Sequence, residues 1–268
     1  MAAKTNIGWA CRPGTIGGTW NPWRGCKKKS PGCTRCYMYR EYLRRPAWGD
    51  PRMVVRSKTT FDDPLHWKEP HTIFTCSLSD WNNHEADLWR PAAWDIIRRT
   101  PQHIYLILTK LPERWLEEPA LTLPPDWGNG WPNVWLGTSA ENQEYADYRI
   151  PILLSRPARV HFVSAEPLLG PITLEREWLF SLFDTYRGAK IDWVITGGES
   201  DYHAPRPCNL DWVRDVRDQC LAAGVSFFHK QHGGARRIGG VFGGRELDGR
   251  TGDEFPEMEV KDEMPRLL

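Results

Sequence analysis

The sequence predicts an α/β fold, a partial or complete parallel (β/α) barrel of about six to seven units. Three observations carry this. Short runs rich in β-branched and aromatic residues are bounded by polar or turn residues, as buried strands are. Segments with helical patterning lie between them, and continuous apolar strands alternating with helices make a parallel sheet with helices on its outside. No Gly-x-Gly-x-x-Gly follows the first strand, which disfavours an open dinucleotide-binding sheet.

The first strand, Gly18–Trp23 (GTWNPW), has the weakest pattern; a cysteine-rich stretch follows it, then a helix over Thr34–Arg45. Thr72–Ser77 (TIFTCS) is the second strand, followed by an amphipathic helix over Leu88–Thr100. His103–Thr109 (HIYLILT) precedes a short helix at Pro112–Glu118, and Asn133–Ser139 (NVWLGTS) precedes a helix at Glu141–Leu154. Arg159–Ala165 (RVHFVSA) leads to a helix at Glu175–Tyr186. Ile191–Thr196 (IDWVIT) leads to Leu210–Ala223, with Asn209 placed to cap its start and Gly224 its end. Val225–Lys230 (VSFFHK) is the last strand, and Gly233–Gly249 reads as a glycine-rich loop. The organisation is one barrel domain over residues 1–240, with an N-terminal cysteine loop, and an acidic C-terminal extension over 241–268.

The composition agrees with one globular domain. The chain has 268 residues, a typical barrel length, of which 40% are hydrophobic and 26% charged, so it buries a core and is not disordered. Its fifteen tryptophans read as core and rim packing. Met1–Trp20 lacks an apolar signal-peptide stretch, and nowhere do about eighteen apolar residues run together. The expectation is a cytoplasmic protein with no membrane contact. In a reducing compartment, seven cysteines, an odd number, read as free thiols or metal ligands rather than a disulfide framework.

Polar and ionisable groups follow nearly every strand: Ser77, Ser79 and Asp80 after the second and Lys110 after the third. Ser139 and Glu141 follow the fourth, Ser164 and Glu166 the fifth, Gly197-Gly198-Glu199-Ser200 the sixth, and Lys230 and His232 the seventh. Each alone reads equally as a helix cap, a loop residue or a salt-bridge partner. Together they form a ligand-binding rim, because barrel enzymes build their sites at the C-terminal ends of the strands.

The stretch GCKKKSPGCTRCY (Gly25–Tyr37) sets Cys33 and Cys36 as C-x-x-C, with Cys26 seven residues before Cys33. The Ser30-Pro31-Gly32 turn lets Cys26 fold back onto the pair. Zn²⁺ would take a fourth ligand from Cys11, His66 or Cys76, whereas a [4Fe-4S] cluster is held by three cysteines with one iron open. Between Arg24 and Arg45 lie eight basic residues against the single acid Glu41. Lys27, Lys28 and Lys29 therefore read either as a solvated loop or as cations steering an anionic substrate, a nucleotide or nucleic acid.

Three cysteines after the first strand of a (β/α) barrel, the last two as C-x-x-C, resemble the radical S-adenosylmethionine superfamily. More finely, the chain resembles a phage-associated and bacterial three-cysteine-motif family, largely of unknown function. That likeness rests on TWNPWRGC (Thr19–Cys26), GCTRCY (Gly32–Tyr37), LTKLPER (Leu108–Arg114) and NVWLGTSAENQ (Asn133–Gln143). It continues through RVHFVSAEPLLGPI (Arg159–Ile172), DWVITGGES (Asp192–Ser200) and FFHKQHG (Phe227–Gly233). Two departures from the superfamily are the C-x₆-C-x₂-C spacing, where C-x₃-C-x₂-C is usual, and Arg35 in the commonly aromatic position before the last cysteine.

The resemblance implies an enzyme whose Cys26, Cys33 and Cys36 bind a [4Fe-4S] cluster. S-adenosylmethionine chelates the open iron and is cleaved to a 5′-deoxyadenosyl radical. It also implies an electron donor, a partner protein encoded nearby and nucleic-acid modification. Tyr37, Ser77, Ser79, Asp80, Ser139, Ser164 and Glu166 are candidate cofactor contacts, and Lys110, Glu141 and Lys230 candidate catalytic groups. Gly197, Gly198 and Glu199 resemble the superfamily's Gly-Gly-Glu but follow the sixth strand rather than the second. They read either as an adenine or ribose contact or as a tight turn. Two other functions compete: a zinc-stabilised nucleic-acid-binding module without catalysis, and a metal-dependent nuclease in which Asp80, Glu141, Glu166 and Glu199 converge on one metal.

Overall fold

A computed structural model describes residues 4–180, 189–201 and 203–257. Seven parallel strands form one sheet in chain order: β1 (Ile16–Trp20), β2 (His71–Thr75), β3 (Ile104–Thr109), β4 (Val134–Ser139), β5 (His161–Ala165), β6 (Trp193–Gly197) and β7 (Ser226–Gln231). The partial barrel is the form adopted: the sheet curls into a half-barrel. A single-turn helix at Gly8–Ala10 packs against β1, β2 and β7, so the two edge strands approach the same segment.

The helices are α1 (Tyr37–Arg44), α2 (Arg90–Arg99), α3 (Arg114–Glu117), α4 (Pro119–Thr122), α5 (Gln143–Leu154), α6 (Arg176–Leu179) and α7 (Leu210–Ala223). The bounds of α7 match its periodicity because both ends are chemically marked. Asn209 accepts from the Asp211 N–H at 2.9 Å, and Gly224 adopts the left-handed conformation at φ 64°. α1 starts three residues later than expected, since the single-turn helix Pro31–Cys33 and Cys36 precede it. The first strand ends at Trp20 rather than Trp23, because Pro22 has no N–H for the ladder; Trp23–Arg24 instead pairs antiparallel with Val55–Arg56. Of the helix expected at Glu175–Tyr186, α6 and Phe180 are described and residues 181–186 lie outside the described residues.

The pleat sorts side chains into two layers. Phe74, Leu106, Trp135, Phe162, Trp193 and Phe228 face the hollow of the half-barrel, where Trp9 packs among them with its ring 4.5 Å from Phe74. Their alternates, among them Ile73, Tyr105, Leu136 and Val194, meet the helices through residues such as Ile97, Ile150, Leu153 and Val216. Gly137 has no side chain where the Phe162 ring lies against it; a Cβ there would overlap that ring.

The glycine-rich stretch is two tight hairpins rather than a loop. Arg237–Ile238 pairs with Val241–Phe242, and Glu246–Leu247 with Arg250–Thr251. Gly239-Gly240 and Asp248-Gly249 turn them, all four at positive φ as two-residue hairpins require. Residues 241–257 pack on the barrel through buried Phe242 and Leu247 and through Phe255, whose ring stacks near Trp193. Among the described residues, no helix is long and apolar enough to cross a membrane.

Candidate functional site

The cysteine loop lies across the C-terminal ends of the strands. Asn21, just after β1, fixes its entry by accepting from the Leu78 N–H at 2.8 Å and donating to Ser77 Oγ at 3.0 Å. Gly25 follows at φ 96°, pressed so closely on the Met53 carbonyl that no Cβ fits. The Cys26 N–H donates to Pro51 O at 2.9 Å, and Ser79 Oγ donates to Gly25 O at 2.6 Å. Tyr39 Oη donates to Cys26 O at 2.7 Å, and Tyr37 Oη donates to the Ser77 carbonyl. Cys33 is buried, and Cys26 and Cys36 are half-buried.

Beneath the loop, the rim residues form separate charged clusters. Asp80 uses both carboxylate oxygens within the scaffold, accepting from Thr109 Oγ1 at 2.6 Å and the Lys110 N–H at 2.7 Å. Glu141, fully buried, accepts from Lys110 Nζ, from Arg149 Nη1 at 3.1 Å and from Ser30 Oγ at 2.5 Å. Glu166 pairs with Lys230 at 3.1 Å and accepts from Ser164 Oγ at 3.3 Å. Glu199 is held by Arg206, with Arg35 Nε 3.8 Å away, and Arg40 donates to Ser200 O at 2.8 Å. Ser139 is buried, and its carbonyl accepts from Arg149 at 2.8 Å.

The Gly197-Gly198 pair has a packing explanation. A Cβ on Gly197 would overlap the Glu166 carboxylate, and one on Gly198 would overlap the His232 carbonyl. The room left by the missing side chains is therefore filled by the protein itself.

Burial sets the electrostatics of the thiols. The Cys26 thiol is pushed well up by burial and then by the negative charges of Asp80, Cys33 and Cys36, with Lys29 opposing. Burial also raises Cys36, and Cys33 adds to it, while the Met38 N–H, Lys110 and Arg40 pull the other way. Cys26 and Cys36 thus lie within electrostatic reach of Cys33, and neither of the two ionises readily. A bound cation would oppose that shift. Among the described residues no three His, Cys, Asp or Glu side chains are already drawn together to hold a metal ion, so a metal would have to draw the thiols in. Burial would raise the Glu141 carboxyl, but Lys110 and Arg149 beside it and the bonds from Lys110 and Ser30 hold it below its ordinary value.

The loop lysines are less free than a basic run suggests. Lys27 pairs with Glu85, and Lys28 donates to Thr34 O at 3.0 Å while lying over the Tyr39 ring. Lys29 favours the ionised Cys26 and Glu85. Two of the three expected fourth ligands for zinc lie at the wrong end of the sheet. Cys11 packs against Gly17 near the start of β1, and His66 shares a groove with Ile16 and His71, the first residues of β1 and β2. Cys76, buried just past β2, is at the loop's end and raises no such conflict. The four acids expected to converge on one metal are instead distributed over separate partners.

Sequence reading missed Asn21, Ser30, Arg149 and Arg206. Asn21-Pro22 carried a turn signal, but Arg149 and Arg206 are recognisable only once their carboxylate partners are placed. Neither curated proteins nor solved structures match the chain. A family model described as a protein of unknown function, DUF5131, matches residues 4–256 and assigns no activity. The chain belongs to that family.

Proposed function

We propose that Cys26, Cys33 and Cys36 hold a [4Fe-4S] cluster and that the protein is a radical S-adenosylmethionine enzyme acting on an anionic substrate, a nucleotide or nucleic acid. One observation carries this reading: the segment bearing the three thiols spans the C-terminal ends of five consecutive strands, meeting three by contact and two through charge. Tyr37 meets Ser77 past β2, Lys110 past β3 acts on Cys36, and Ser30 meets Glu141 past β4. Glu166 past β5 acts on Tyr37, and Arg35 approaches Glu199 past β6. Barrel folds assemble reactive groups at that end.

When bound, such a cluster supplies one-electron cleavage of S-adenosylmethionine to a 5′-deoxyadenosyl radical, drawing on an external electron donor. The chain's own residues would orient and enclose the reactants. Glu166, steadied by Lys230 and Ser164, is a fixed acceptor for ribose hydroxyls or an amino group. Glu199 is held rigid by Arg206 for a similar contact. Lys110 and Lys230 are partly exposed rim cations able to meet a carboxylate or phosphate, and Arg35 adds a guanidinium at the mouth. Lys29 is the loop lysine best placed to steer an anion, since Lys27 and Lys28 are engaged within the protein.

Anaerobic purification with iron and sulfide analysis tests the reading. The expected result is about four irons and four sulfides per chain, a visible charge-transfer band lost in Cys33→Ala, and cleavage of S-adenosylmethionine under reduction. Stoichiometric zinc without iron overturns it in favour of a zinc-stabilised module, with Cys76 as the fourth ligand to examine.

A further inference from the structure

We propose that Glu141 is a positioning residue that docks the cysteine loop onto the barrel and fixes Cys33 relative to Cys26 and Cys36. The proposal rests on the metal-site reading above but concerns the metal-free chain as well. Glu141 lies just past β4, after Ala140, and is fully buried, yet it is charged and joins three separate elements. Arg149 reaches it from α5 at 3.1 Å, Lys110 from the end of β3, and Ser30 from the cysteine loop at 2.5 Å. Ser30 Oγ also lies 3.8 Å from Cys33 Sγ, so one hydroxyl touches both the anchor and the ligand.

Gly32, next to Cys33, lies so close to Glu141 that a Cβ would overlap its carboxylate. The missing side chain thus lets the loop seat on the acid. Withdrawing the carboxylate would strand the guanidinium of Arg149, which is 2% exposed, and a buried unpaired charge is costly. The loop is therefore tied to a charge that the barrel cannot readily move. Both carboxylate oxygens are engaged, one by Lys110 and Ser30 and the other by Arg149, which suits a tether rather than a proton-transfer group.

Three variants separate docking from stability. Ser30→Ala removes the tether from the loop side, Gly32→Ala forces the loop off sterically, and Glu141→Asp keeps the charge beside Arg149 but shortens its reach. In metal-free full-length protein, maleimide labelling of Cys33, read by peptide mass spectrometry, should accelerate about tenfold or more in each. Labelling of Cys220, on the buried face of α7 in the outer layer, should not change, which guards against global unfolding. In the reconstituted variants, iron per chain should fall and the visible band should shift, and Glu141→Asp should be affected less than a fourth variant, Glu141→Gln. Unchanged Cys33 labelling in all three variants overturns the docking role, whatever the metal content. Accelerated labelling in a protein whose wild type takes up no iron upholds docking and overturns the cluster instead.

Discussion

At the residue scale, the positions that shape the site and the aromatic layer beneath it are mostly ones that leave space or accept charge. Gly137 is one: a methyl group there meets the Phe162 ring inside a layer of close-packed aromatics. Gly137→Ala should cost about 1–3 kcal/mol, as overpacking does, read as a lower urea midpoint with an unchanged slope. Single-residue roles were the least legible in the sequence. The candidate residues Glu141, Glu166 and Glu199 stood out because acids past apolar strands are conspicuous. Of their cations, Lys110 and Lys230 stood out as well, but Arg149 and Arg206 did not, since they come from a helix and a loop whose placement only the fold determines. Gly197-Gly198 looked like a ligand cradle because sequence shows that a side chain is missing but not what fills the room.

At the element scale, the strands and helices were readable where local chemistry and burial agreed. All seven strands were found within a few residues, because a strand covered on both faces is apolar throughout. α7 shows how far caps carry a prediction: Asn209 and Gly224 mark its ends, and Val213, Val216 and Cys220 mark its buried face. Asn209→Ala should lower stability by about 1 kcal/mol, a fall of a few degrees in melting temperature measured by circular dichroism at 222 nm. The glycine-rich hairpins were missed although Gly-Gly and Asp-Gly are hairpin turn pairs, since each flanking strand has only two residues and no periodicity to show. α1 was overextended by Thr34–Cys36, because Thr34 is helical in backbone but Cys36, at ψ 129°, interrupts the run before Tyr37.

At the scale of the whole molecule, folding places several histidines where burial disfavours their charged form. His229 is fully buried between Thr196 Oγ1 at 2.9 Å and His232 at 3.0 Å, and burial, His232 and Arg245 push its pKa down from 6.5 to about 3. His103 and His232 shift down too, mainly through burial. The unfolded chain therefore takes up protons first, so this part of the stability is fully present above about pH 6.5 and is lost as the pH falls toward 3. His229 alone contributes on the order of 5 kcal/mol to that loss. Chemical denaturation at pH 7.5, 6 and 5 should show stability falling progressively, and His229→Gln should flatten the dependence.

The two ends of the half-barrel carry a consequence for how little of the chain can be removed. A sheet that does not close has two exposed ladders, and here each is covered by the chain's own extremities. Lys4 bridges to Gly18 on β1, with the Thr5 N–H donating to Gly17 O. Asp253 bridges to Phe228 on β7, with the His229 N–H donating to Gly252 O and the Glu254 N–H to Phe227 O. The outermost residues that seal the sheet thus nearly coincide with the limits of the family match, 4–256. Shortening the chain past Thr5 or before Gly252 should uncover a ready template for strand pairing between molecules, read as self-association in analytical ultracentrifugation while Cys33 remains as slow to label as in the full chain.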